Sequence, residues 1–167
     1  MSCKIVLTGV ISISSRGALD IEEMKHMDKI TSEVRAFLLE TARTGKLATV
    51  RADGRPHVVP IWFDLDENNI IYFNTGESTV KGKNMRRDPR IALCVDDERP
   101  PYTFSVLEGT VTFVDDDAAK LHWATSIAGR YMGEDKAEAY GKRNAVEGEL
   151  LVRFTVTKVL FQKDIAD

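Results

Sequence analysis

Asp53-Gly54 separates two runs that both read as strands, and this junction limits the fold more than any other feature of the chain. Lys46–Arg51 and Pro56–Asp64 flank the tight turn Ala52-Asp53-Gly54-Arg55. Glycine takes positive φ without steric cost, and Asp-Gly suits a short hairpin turn. Strands joined so closely run antiparallel, because a parallel pair needs a crossover of roughly a dozen residues. The device recurs at Asp66–Asn69, which precedes the apolar run Ile70–Asn74. Further strands are expected at Arg90–Asp96, Thr103–Val114 and Glu149–Gln162, the last alternating over Leu151, Arg153, Thr155 and Thr157. Gly109 inside the fifth strand marks a bulge or a close approach. Six mainly antiparallel strands imply a closed β-barrel with flanking helices.

Ile30, Val34, Phe37, Leu38 and Thr41 recur at the spacing of an amphipathic helix, with Asp28 or Thr31 to cap it and Gly45 to stop it. Asp115-Asp116-Asp117 opens another, since acidic residues favour a helix N-terminus. Its apolar face carries Ala118, Leu121, Thr125, Ala128 and Met132. Gly133–Gly148 is polar, with a second helical segment as one reading. No repeat, low-complexity tract or linker divides the chain, so residues 28–167 read as one domain and residues 1–27 as an N-terminal extension.

Lys81–Arg90 packs five cationic side chains into ten residues of a chain whose formal net charge is -3. It follows the Ile70–Asn74 strand and the small-residue turn Thr75–Thr79, so a short basic helix should begin there. Unpaired N–H groups and the helix dipole favour an anion at such a start. Lys81 and Lys83 add point charges, and Asn84 adds an amide. The simplest ligand for that corner is a phosphate. A solvated basic surface is the other reading. Pro89 ends the helix by pushing Asp88 out of the α region.

A pI near 5.7 argues against nucleic acid, whose backbone calls for a broad basic face. Cys3 and Cys94 make neither a disulfide framework nor a metal spacing, and Cys94 reads as a core thiol. A reducing cytoplasm is the default. Ile5–Ile13 is too short and too polar to span a membrane and is weak as a signal segment. Residues 1–27 read as an added strand, a tail, or an upstream start with Met24 or Met27 as alternatives.

Three stretches carry a resemblance: Arg43–Val50, Asp53–Phe63 and Lys81–Arg90. Together they resemble the pyridoxamine 5'-phosphate oxidase-like split β-barrel superfamily, and within it the deazaflavin-dependent flavin/deazaflavin oxidoreductase B branch, from about Val34 to Phe161. The resemblance implies a six-stranded antiparallel split barrel, a homodimer with cofactor sites at its interface, and coenzyme F420 as cofactor, with FMN the alternative. It implies that Lys81 meets the cofactor phosphate, helped by Thr79, Lys83 and Asn84. His57, Val59, Pro60, Ile61 and Trp62 would line the ring, and Asn74 and Thr75 would touch the ribityl chain. FMN oxidases of this kind carry further basic phosphate ligands on neighbouring strands. Ile70–Phe73 is apolar here, which favours the deazaflavin and speaks against pyridoxamine-phosphate oxidation.

Two readings stand for His57, cofactor-facing or surface, and two for Trp62, core or ring-stacking. Trp123 and Tyr131 read as packing residues, with a cavity wall the other possibility. No catalytic triad order, zinc spacing or P-loop is present, so a cofactor must supply any redox chemistry. The expected function is hydride transfer from reduced F420 to an electron-poor small molecule. The alternatives are an FMN-dependent reductase and a non-catalytic flavin-type binding protein. No catalytic acid is named by the sequence.

Overall fold

The computed structural model describes residues 25–27 and 29–166. Eight strands form one antiparallel sheet: β1 (Lys25–Met27), β2 (Gly45–Val50), β3 (Pro56–Ile61), β4 (Asp64–Leu65), β5 (Ile71–Gly76), β6 (Arg90–Asp97), β7 (Thr103–Val114) and β8 (Glu149–Gln162). The helices are α1 (Ser32–Leu39), α2 (Val80–Arg87), α3 (Asp117–Met132) and α4 (Glu134–Asn144). The order across the sheet is β3-β2-β6-β7-β8-β5-β4, and β1 adds to β8. This curled sheet with flanking helices is a split barrel. The six expected strands are all present, joined by the short β1 and β4. Residues 1–24, which hold the Ile5–Ile13 run and Cys3, lie outside the described residues.

The Asp53-Gly54 turn behaves as its sequence requires. Gly54 has φ 84°, and β2 and β3 pair from Val50–Pro56 to Gly45–Ile61. Gly109 sits at a register shift between β7 and β8, where a Cβ would stand 2.1 Å from the Thr155 carbonyl oxygen. Only a residue without a side chain lets the two backbones approach so closely.

The expected strand Pro56–Asp64 is broken at Trp62-Phe63. Among the described residues no ladder joins β3 to β4, so the hydrogen-bonded circuit stays open where closure was expected. Two residues instead carry the chain from one end of the sheet to the other. Backbone groups at that corner find side chains, since buried peptide groups need partners. Arg130 donates to Phe63 O at 3.1 Å and also to Leu38 O, and Phe63 N donates to the Tyr131 hydroxyl at 3.4 Å.

Helix α1 ends at Leu39, well before Gly45, which instead begins β2. Thr31 is its cap, accepting from Val34 N at 3.3 Å. Val34 and Leu38 are fully buried and join the barrel core with Phe63, Phe73 and Phe154. Truncating one such phenylalanine costs roughly 3–5 kcal/mol. Asp116 caps α3 by accepting from Ala119 N at 2.9 Å. Cys94 is half-buried and not a core residue, because Ile91, Leu93 and Val95 take the inward positions of β6. No helix among the described residues is long and apolar enough to cross a membrane.

Candidate functional site

Helix α2 begins where β5 ends, and Thr79 makes the join. Its hydroxyl donates to Gly76 O at 2.7 Å and accepts from Gly82 N at 3.1 Å. A hydroxyl has one proton, so this side chain is spent on the turn. The N–H groups of Val80 and Lys81 have no backbone or side-chain partner among the described residues. The start of α2 therefore offers two donors and the partial positive charge of the helix dipole.

Beside this helix start lies a cleft of about 500 Å³, lined there by Thr79 and Lys81. Pro60, Ile61 and Trp62 at the end of β3 form one side of it, together with Thr44. Asn74, Thr75 and Gly76 at the end of β5 lead to Thr79 and Lys81. Ala124 and Ile127 of α3, Asn144 of α4 and Glu149 of β8 complete it. The Asn74 Nδ2 is buried without a hydrogen-bond partner. An amide left so costs about 1–3 kcal/mol, a cost a bound acceptor removes. Burial raises the Glu149 pKa from its ordinary value, against the pull of Lys81 and Lys120.

Seven of the residues expected from the sequence meet in this cleft: Pro60, Ile61, Trp62, Asn74, Thr75, Thr79 and Lys81. Four do not line it. Asn84 is buried and donates to the Thr49 hydroxyl at 3.0 Å, so its amide ties α2 to β2. Lys83 is exposed on α2. His57 is half-buried at the hairpin end, its Nδ1 3.4 Å from an Arg51 guanidinium nitrogen. Val59 packs against the core. Trp62 both lines the cleft and stacks on Tyr131, with centroids 5.0 Å apart and planes 6° apart. Trp123 stacks on Tyr72 at 4.0 Å. Ala124, Ile127, Asn144 and Glu149 escaped the sequence reading because they are distant in the chain and carry no motif, whereas Thr44 lies in the Arg43–Val50 stretch and Gly76 in the Thr75–Thr79 turn, neither with a ligand role in that reading. One signal was available: Glu149 is a charged residue opening an apolar alternating strand, directly after Gly148.

A second hollow of about 510 Å³ lies elsewhere, lined by Ala48, Val50, Pro56, Ala92 and Gly109 with Arg90 and Glu108 among the remaining residues. Its lining has no helix start and no orphaned amide. Among the described residues no group of three or more His, Cys, Asp or Glu is placed to hold a metal.

Residues 30–163 match the Pyridoxamine 5'-phosphate oxidase family. A 5a,11a-dehydrotetracycline/5a,11a-dehydrooxytetracycline reductase from Streptomyces rimosus is 41% identical over 56 residues, which span 32% of this chain and 39% of that protein. The chain thus matches well under half the length of that curated relative. A solved F420 reductase superposes with a TM-score of 0.57 at 26% identity, over 74% of this chain and 94% of that one. A conserved hypothetical protein from Mycobacterium tuberculosis superposes at 0.69 with 23% identity, over 80% and 85% of the two chains, a likeness of fold.

Proposed function

The chain belongs to the pyridoxamine 5'-phosphate oxidase family, and on that premise we propose that it is an oxidoreductase that binds coenzyme F420 and reduces an electron-poor small molecule. The observation that carries this reading is the cleft at the β5–α2 junction, lined by Lys81 and by Asn74 with its orphaned amide, beside a helix start that leaves two N–H groups unpartnered. That donor set fits a phosphate joined to a hydroxylated chain. Lys81 and the helix start would hold the phosphate, and Asn74 would donate to the polyol. Trp62, Ile61, Ala124 and Ile127 supply apolar walls that shield a flat ring from water, which strengthens every polar contact inside. A bound deazaflavin supplies two-electron hydride chemistry, because carbon replaces the N5 of a flavin. Holding ring and substrate in register is then the protein's main contribution. The product's proton comes from solvent in this reading. The reductase names of the two relatives above support it, as does the apolar β5, which lacks extra phosphate cations.

The test is a pair of fluorescence titrations, with F420 and with FMN. Tighter binding of F420 is expected. Submicromolar FMN affinity with no measurable F420 binding would replace this reading by an FMN-dependent reductase. Tight binding without turnover of any enone or quinone acceptor would favour a storage or sensing protein.

A further inference from the structure

The charge of the cleft is unusual for an anion site. Lys81 and Glu149 are the two ionisable side chains in its lining, so its formal charge is balanced. Glu149 opens β8 at the position paired with Gly76. Its Oε1 lies 3.3 Å from where a Cβ on Gly76 would stand. Gly76 O is also the acceptor of the Thr79 hydroxyl that caps α2. The carboxylate therefore stands at the same corner as the helix start. Lys81 on α2 and Lys120 on α3 both act on it, and the adjoining hollow adds the acids Glu77, Asp115, Asp117 and Glu147 and the cations Arg86 and Lys142. Among the described residues no ion pair engages Glu149 or Lys81.

A carboxylate beside a phosphate site lowers the local positive potential. Attraction to that potential grows linearly with the ligand's charge, whereas the desolvation cost grows with its square. A weakened potential therefore penalises the more highly charged ligand. We propose that Glu149 selects the charge of the bound phosphate, admitting a singly charged phosphodiester in preference to a doubly charged phosphomonoester. This deepens the cofactor reading and rests on it for the position of the phosphate: coenzyme F420 carries a diester, FMN a monoester. Ionised Glu149 is the selective form, so selection is strongest above its raised pKa and fades as falling pH protonates it.

The experiment uses one ring with two charges. Wild type and Glu149→Gln are titrated with FMN and with its methyl phosphodiester by flavin fluorescence, at low salt and pH about 8, where the monoester holds both charges. Removing the carboxylate should tighten FMN about tenfold and the methyl ester about threefold, the larger factor being the square of the smaller because attraction is linear in charge. Riboflavin, which has no phosphate, should not respond, and the melting temperature should stay within the scatter of the wild type. Equal factors for the two esters, no change, or weaker binding overturns the proposal. A measurement on wild type alone serves if the variant fails to fold: at pH about 5 the monoester loses a charge, and the gap between FMN and its ester should close. A gap that persists there also overturns it. F420 is titrated in parallel. If the flavin esters show the charge effect while F420 does not bind, the deazaflavin reading falls and selection by Glu149 stands. Binding of none of the probes overturns both.

Discussion

Lys81 and Lys83 lie on the same helix but about 200° apart around its axis, which separates their roles. Lys81 is half-buried in the cleft lining, and Lys83 is exposed outside it. A charge-assisted hydrogen bond to phosphate is worth roughly 1.5–3 kcal/mol. Lys81→Ala should therefore weaken cofactor binding about tenfold to a hundredfold, with little change in melting temperature. Lys83→Ala should cost less than about threefold, and only through screened long-range attraction. Wild-type affinity in Lys81→Ala would show the basic helix to be a solvated surface. At this scale the sequence exposes charge better than it exposes amides and hydroxyls. Lys81 was legible because a cation after a strand has few structural uses. Asn84 and Thr79 carry groups equally suited to a ligand or to the fold, and their bonds to Thr49 and Gly76 put them in the fold.

Helix α2 owes its position to Gly82. A Cβ there would meet Gly76 O at 2.6 Å, a backbone atom held by β5. Alanine gains about 1 kcal/mol of helix propensity over glycine, while forcing atoms into a packed site costs roughly 1–3 kcal/mol. The clash wins, because the oxygen cannot move without shifting the end of β5. Gly82→Ala should lower the melting temperature and loosen cofactor binding together, as the first turn of α2 lifts from Gly76. A stabilised protein with unchanged affinity would refute that account. Element identities were largely visible in the chain, since period-2 and period-3.6 patterns are local. The break at Trp62-Phe63 was not. Its cause lies in Arg130 and Tyr131, far along the chain, which satisfy the corner's backbone. The early end of α1 at Leu39 has the same character, for Arg130 also takes up Leu38 O and Thr41 O.

Ion pairs give the whole molecule an acid-sensitive term, and one of them, Arg43–Asp97, joins distant segments. The Arg99 and Arg43 guanidiniums hold the Asp97 carboxyl well below the usual range, and Arg90 holds Asp88 to about 2. A depressed folded-state pKa means that the unfolded chain binds protons first. The resulting stability is present above the ordinary carboxylate pKa and is lost as pH falls through the folded value. The melting temperature should therefore drop as pH is lowered from about 4 towards 2, and less steeply in high salt. Asp97→Asn should melt lower at neutral pH and show a smaller acid loss. An acid loss equal to the wild type's would remove Asp97 from the explanation. Assembly belongs to this scale too. Val50 and Val58 expose 47% and 60% of their surface near the apolar hollow beside β2 and β6. We expect that face to meet a second copy of the chain, giving a dimer in light scattering. A monomer at micromolar concentration would count against it.

The cleft has two walls of different ancestry within the chain. Asn74, Thr75 and Lys81 belong to the sheet and to the helix that leaves it. Ala124, Ile127 and Asn144 belong to the α3–α4 hairpin, spliced between β7 and β8. The two walls can therefore be exchanged separately. A different hairpin would change which molecules the cleft admits, while the ladder that anchors the opposite corner would stand as it is.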